Sequence, residues 1–408
     1  MVHTMLYKSL AAGAIAFGLP TFASATLIFA TSMGTSTDPG FLSTIKYADG
    51  KLEVINKQLG ICGNNPSWLE FVGDHIYCLD EAWSSITGSL YNFQVPRDGT
   101  NLTLINKLDT LGGPVSSVRY GQNLKGLAIA AYAGGGFQSF DISNPAAPKA
   151  LQNSTFTISP KPGSDPQQKT SHPHEVVLDP TGNFIAAPDL GADLIRIFKV
   201  DKNTLSYVES KTVPTPDLSG PRHGAFVKLD SGTYFYVVTE LSNEIIGWKV
   251  TYNSNGLDLD FGKELFIIPT HGPGSTGIGN TTRASELVIS PDNKFLLVSS
   301  RFDEKTFDIP DPEDNAAGRI KSDSIINYAI EADGTLSLHQ IFAAGGINPR
   351  QFSLSKDGSL VVSALQNSGH VALIKRNVQT GNLTEFIGAV HLGGQPTFAK
   401  LKEDTKCA

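Results

Sequence analysis

The chain repeats one phrase in two successive stretches. Ser171–Val200 reads SHPHEVVLDPTGNFIAAPDLGADLIRIFKV, and Gly220–Val250 reads GPRHGAFVKLDSGTYFYVVTELSNEIIGWKV. Both pass through a proline, a short apolar strand, an Asp-Pro or Asp-x-Gly turn, a second strand, a polar break and a third strand. Such a unit cannot bury its apolar faces alone. It must stack against copies of itself, so the repeat limits the fold to a few architectures.

The same order recurs at Pro66–Val95, Pro114–Ile142 and Pro349–Arg376, and at Arg283–Ile330 with an insertion. The two chain ends hold complementary pieces. PTFAKL (Pro396–Leu401) looks like a first strand with nothing after it. TLIFATSM and FLSTIKY, within Thr26–Val54, look like second and third strands with nothing before them. Joined, the ends complete a seventh unit. The apolar runs are rich in β-branched and aromatic residues and are bounded by turn signals, and no stretch carries a helical period. The expectation is an all-β fold, a seven-bladed β-propeller closed by pairing of the N- and C-terminal strands. A linear row of immunoglobulin-like sandwiches has no place for the split unit.

With 408 residues, 40% hydrophobic and 17% charged, the chain can bury a large core. Its formal charge of −7, without a basic run, excludes nucleic acid and anionic membranes as expected partners. His3 and Lys8 precede the apolar stretch Leu10–Leu19, and Ala23-Ser24-Ala25 follows as a small-x-small cleavage pattern. Residues 1–25 therefore read as a signal peptide of a secreted protein, and 26–408 as one propeller domain. The apolar stretch is too short to span a bilayer. Asn101, Asn153, Asn280 and Asn382 open glycosylation sequons in segments that read as turns. Of Cys62, Cys78 and Cys407, the first two flank one strand and form the preferred disulfide, with Cys407 a competitor.

Aligning the units exposes two sets of equivalent positions. After the first-strand proline, or its equivalent, stand Ser67, Val115, His174, Arg222, Ser285, Arg350 and Thr397. Closing the second strand are Met33, Glu81, Tyr132, Asp189, Glu240, Arg301 and Gln366. Purely structural positions would carry similar small or apolar residues throughout. Instead, three successive units supply His174, Asp189, Arg222, Glu240 and Arg301. Charged groups facing one channel are costly unless paired or used on a ligand. Two guanidinium groups clamp carboxylates, and a His and a Glu move protons near neutral pH. The expected partner is an anionic small molecule, a carboxylate or lactone. Glu81, Asp189, His223, Arg350 and Gln366 are the expected substrate-binding set. A cation held by Glu81, Asp189 and Glu240 would be repelled by Arg222 and Arg301, so no metal or cofactor is expected. His271–Gly279 (HGPGSTGIG) lacks the Lys-Ser/Thr of a phosphate loop and reads as a flexible loop over the channel. No Gly-x-Ser-x-Gly elbow is present, which argues against a serine hydrolase.

At HPHEVVLDPTGNF, PDLGAD, GPRH and the strand ends VVTEL and VSSRF, the chain resembles the seven-bladed propeller lactonase family. That family includes fungal carboxy-cis,cis-muconate cyclase and bacterial propeller-type 6-phosphogluconolactonases. The resemblance covers nearly all of the mature chain. It implies catalytic roles for His174, Arg222, Glu240 and Arg301, with no cofactor. The function it implies is an enzyme that forms or opens a lactone ring. A lactonizing cyclase is the first expectation, with Arg-stabilised charge and proton delivery by His174 or Glu240. A sugar lactonase and a non-catalytic binding propeller are the alternatives.

Overall fold

The computed structural model describes residues 26–402 apart from 84, 254–255, 257, 276–280, 304–306 and 315. The leader segment, Asn280, Cys407 and residues 276–279 of the Gly-rich segment lie outside the described residues.

The chain forms seven antiparallel blades, numbered in chain order from the closing blade, so that blades 2 to 7 begin near Pro66, Pro114, His174, Pro221, Arg283 and Pro349. Blade 4 shows how the sequence builds one. Its inner strand is reduced to Val177–Leu178, followed by Phe184–Asp189, Leu194–Val200 and Tyr207–Pro214. The turn between the first two strands is shaped by Asp179, whose Oδ1 accepts the amides of Asn183 and Phe184 at 2.9 and 2.7 Å. Gly182 supplies the positive φ (68°) that this turn requires. Ser290/Asp292 and Ser355/Asp357 occupy the corresponding turns of blades 6 and 7. The second strand, FIAAPD, is buried throughout, whereas the outermost strand, YVESKTVP, is largely exposed. The outermost strands fall outside the repeated phrase. The insertion in blade 6 contains a separate hairpin, Phe307–Pro310 with Arg319–Ser322.

Cores form between blades. Val115, Ala128 and Phe137 of blade 3 pack with Ile185, Ala187 and Phe198 of blade 4. Phe137 and Phe198 stack with ring centroids 4.2 Å apart. Phe184 and Ile195, on the other face of blade 4, meet Phe235 and Trp248 of blade 5. Each of the larger of these side chains contributes roughly 1.5–3 kcal/mol on burial, so blade 4 is held by both neighbours.

The ring closes as the split unit requires. Strand Gln395–Lys402 pairs with Thr26–Met33, which pairs with Phe41–Ala48 and then Lys51–Leu59. Ile28, Ala30 and Ala399 of this closing blade pack on Val362 and Leu373 of blade 7.

Cys62 and Cys78 form a disulfide with Cα atoms 6.2 Å apart. It ties the connection leaving the closing blade to the second strand of blade 2, His75–Asp80. Replacing both cysteines by serine is expected to cost about 3 kcal/mol, the entropy of a loop this short. Urea unfolding of the variant beside the native protein checks this; equal midpoints would refute it.

Asn101 and Asn382 occupy turns, and Asn101 is exposed. Asn153 departs from the turn expected for it: it is exposed within the outer strand Lys149–Thr155.

Candidate active site

The inner strands share an irregularity that sets the channel mouth. Pairing with the second strand slips between Pro66 and Trp68, Pro114 and Ser116, Pro221 and His223, and Pro349 and Gln351. The closing blade slips opposite Pro396 and Phe398. The extra residue is the one after the proline, and a bulge of this kind re-aims its side chain. Small residues there bond to the next blade: Ser67 Oγ donates to Pro114 O, and Thr397 Oγ1 to Pro66 O. Where the residue is Arg222 or Arg350, a long cation is presented instead.

Arg222 is almost fully buried, and its Nε donates to Glu240 Oε2 at 2.7 Å. Arg301 Nη2 lies 2.9 Å from the same oxygen. Arg301 is further fixed by the carbonyls of Arg283 and Ala284, each at 3.3 Å. Gln167 Nε2 reaches Glu240 Oε1 at 3.5 Å and Tyr132 Oη at 3.2 Å. From blades 7 and 2, Arg350 Nη2 meets Glu81 Oε1 at 2.7 Å, and Trp83 Nε1 donates to Glu81 Oε2 at 2.6 Å. Three guanidinium groups thus face two carboxylates, a surplus of one positive charge (3 − 2 = +1).

The electrostatics separate the roles. Burial works to raise the Glu240 carboxyl, but Arg301 and Arg222 outweigh it and bring its pKa down to about 2. Glu240 is therefore a fixed anion that locks two cations. Burial, with Arg301 beside it, lowers Arg222 to about 10, which leaves it charged at neutral pH. Burial, then Arg222, His223 and Arg350, hold His174 well below its ordinary value, so its imidazole is neutral. His174 Nδ1 and Arg222 Nη1 are buried and have no hydrogen-bond partner among the described residues.

Of the expected residues, the structure gathers His174, Arg222, Glu240, Arg301, Glu81 and Arg350. Three others need correction as substrate contacts. Asp189 is fully buried and its carboxylate is consumed within blade 4. It accepts from Ser171 Oγ, from the amides of His172 (2.7 Å) and Ala192 (3.2 Å), and from Arg196 Nε (2.9 Å). The shorter Asp side chain and the Arg on the adjoining strand turn this position inward. His223 stands one residue further along the inner strand than Arg222, and its Nδ1 is held by Glu286 Oε1 at 2.8 Å. Gln366 has both ends of its amide engaged, by Gln395 Oε1 at 3.0 Å and Asn348 Nδ2 at 3.4 Å. His271, the first residue of the Gly-rich segment, is buried and bonded to Asp303 Oδ2 at 2.8 Å.

Asp189→Ala is accordingly a stability variant. It leaves Arg196 buried with only Glu209 as a charged partner and is expected to cost about 3–5 kcal/mol. Chemical denaturation measures the loss; an unchanged midpoint, or a selective rise in KM, would reverse the assignment.

Sequence reasoning missed Trp83 and Gln167. Trp83 is 61% exposed despite its bond to Glu81, an aromatic face at the rim of the mouth. An unpaired Trp just after a strand-closing Glu was the available signal. Gln167 comes from a short 3-10 helix, Pro166–Gln168, in the connection before SHPH, where no repeat position marks it.

The ring is thus a closed seven-bladed propeller that gathers three arginines and two carboxylates at one mouth. Residues 29–400 match the family model described as "Lactonase, 7-bladed beta-propeller", and the chain belongs to that family of enzymes acting on lactones. It is 30% identical to "Probable 6-phosphogluconolactonase" of Arthroderma benhamiae over 334 residues, 79% of this chain and 78% of that one. It is 25% identical to the 6-phosphogluconolactonase of Formosa agariphila over 318 residues, 77% and 81% of the two chains. The structure of the periplasmic gluconolactonase PpgL of Pseudomonas aeruginosa superposes with a TM-score of 0.74 at 22% identity. That match covers 93% of this chain and 99% of PpgL, and it supports the fold alone.

Proposed function

We propose that the protein hydrolyses a sugar-derived lactone, opening the ring to the free aldonate. The observation that carries this reading is the pairing of a neutral buried His174 with Arg222, each with a nitrogen that has no hydrogen-bond partner among the described residues. Arg222 Nη1 donates to the lactone carbonyl oxygen and to the oxyanion that develops on it, with Arg301 adding positive charge. His174 takes a proton from the attacking water. The C–O bond of the ring then breaks, and the departing ring oxygen receives that proton. Glu240 holds the two guanidinium groups in place before substrate arrives. The surplus positive charge favours a substrate with an anionic substituent, and the relatives named for 6-phosphogluconolactone support that class.

The ring-closing alternative needs a group that gives a proton to carbon. Glu240 is an anion down to a pH of about 2, and His174 is neutral, so neither holds a readily lost proton. We infer further that the enzyme acts outside the cell. Its leader-like first 25 residues, its disulfide and its exposed sequon at Asn101 support that reading.

The test is turnover of gluconolactone, 6-phosphogluconolactone and carboxymuconate by the purified protein. Ring opening of either sugar lactone above the uncatalysed rate is expected. Turnover of carboxymuconate alone would replace this reading with the cyclase.

A further inference from the structure

We propose that Glu175, His223 and Glu286 bind a divalent first-row transition metal, of the zinc or manganese kind, inside the channel between blades 4, 5 and 6. These residues hold equivalent places in three consecutive blades, one position beyond His174, Arg222 and Ser285: His223 and Glu286 on inner strands, Glu175 just before the short strand Val177–Leu178. The corresponding residues of other blades are Trp68, Ser116, Gln351 and Phe398, so the chemistry is confined to one side of the channel.

All three side chains are buried, and one ligand atom from each lies within 4.8 Å of the other two. His223 Nδ1 is 2.8 Å from Glu286 Oε1 and 3.7 Å from Glu175 Oε1. Donors around a tetrahedral zinc sit roughly 3.3 Å apart, as metal–N and metal–O bonds of about 2.0–2.2 Å require. The observed spacings bracket that value. Glu175 is oriented from behind, since its Oε2 accepts the Gly224 amide at 2.6 Å, which leaves Oε1 toward His223. A backbone donor behind a ligating carboxylate is the usual means of fixing such a ligand.

Two further observations point to a ligand. Glu286 Oε2 is buried without a hydrogen-bond partner among the described residues. Among those residues, no Lys or Arg lies within ion-pair distance of Glu175 or Glu286; His223 is their only such partner. The mouth cluster balances its own carboxylates with arginines, and this one does not. Bringing two carboxylates this close inside the protein is costly without a cation between them, and a divalent ion offsets the charge they present as ligands. An imidazole with two carboxylates suits zinc or manganese better than calcium or magnesium, which prefer all-oxygen sites. The rings of His174 and Trp68, centred 5.2 and 6.2 Å from that of His223, wall the site. The ion would join three consecutive blades, and its binding does not depend on which lactone is hydrolysed.

The full-length protein, stripped with a chelator, is exposed to Zn2+ or Mn2+ alone, desalted, and analysed by elemental mass spectrometry and thermal unfolding. About one equivalent per chain is expected, with Tm at least ~3 °C above that of the stripped protein. The Glu175→Gln/Glu286→Gln variant keeps the shapes and removes the charges. It is expected to lose both the metal and the Tm response. If that variant does not fold, Glu286→Gln alone, which alters the carboxylate with the unpartnered oxygen, serves the same comparison. Retention of neither metal by the native protein, equal retention by a variant, or a response to Ca2+ and Mg2+ only would overturn the proposal.

Discussion

Replacing Arg222 by alanine is expected to lower kcat/KM for lactone opening by about 10²–10³-fold, the usual loss when one oxyanion donor is removed. The size follows from position. Arg222 is buried, so its donor acts where water does not screen it, and its Nη1 is unused by the fold. Glu240 keeps Arg301 at 2.9 Å, so the variant still pairs the buried carboxylate and should fold. Arg222→Lys retains charge but not the planar fork, and most of the loss should remain. Steady-state kinetics on material with native-like circular dichroism decide the matter. A change under about threefold in Arg222→Ala would remove Arg222 from the oxyanion role.

His174→Asn is expected to cost a further large factor, about 10²–10⁴-fold in kcat, because it removes the proton acceptor. The pH profile supplies an independent reading. The neutral imidazole is the working form, and burial together with Arg222 keeps the folded pKa well below 6.5. Activity should therefore persist below pH 6.5 and fall only as acid protonates His174. Removing Arg222 takes away a nearby positive charge, so the acid limb of the residual activity should move to higher pH. An acid limb centred near 6.5 in the native enzyme, or one that Arg222→Ala leaves in place, would eliminate His174 as the base.

The ring was legible in the sequence because buried second and third strands are written in apolar residues with turn signals between them. The split blade was legible for the same reason: PTFAKL and TLIFATSM are complementary fragments of one phrase. The outermost strands were less visible. KLEVINKQL and KALQNST have one exposed face and read almost as polar linkers. Among site residues, the position after the proline was informative because the bulge recurs from blade to blade. Asp189 and Glu240 looked equivalent by alignment, yet Arg196 claims the shorter carboxylate and leaves the longer one for the channel. Glu175 and Glu286 were hidden because their significance lies in proximity across three blades, which no spacing along one strand records.

The strand that completes the ring begins at residue 395 and pairs with one that begins at residue 26. During synthesis the first blade therefore waits for its inner strand until the strands of the other six have been made, although every later blade can assemble in order. Ring closure is therefore the last pairing the propeller can make, and the seam between these two strands is where a partly made ring stands open.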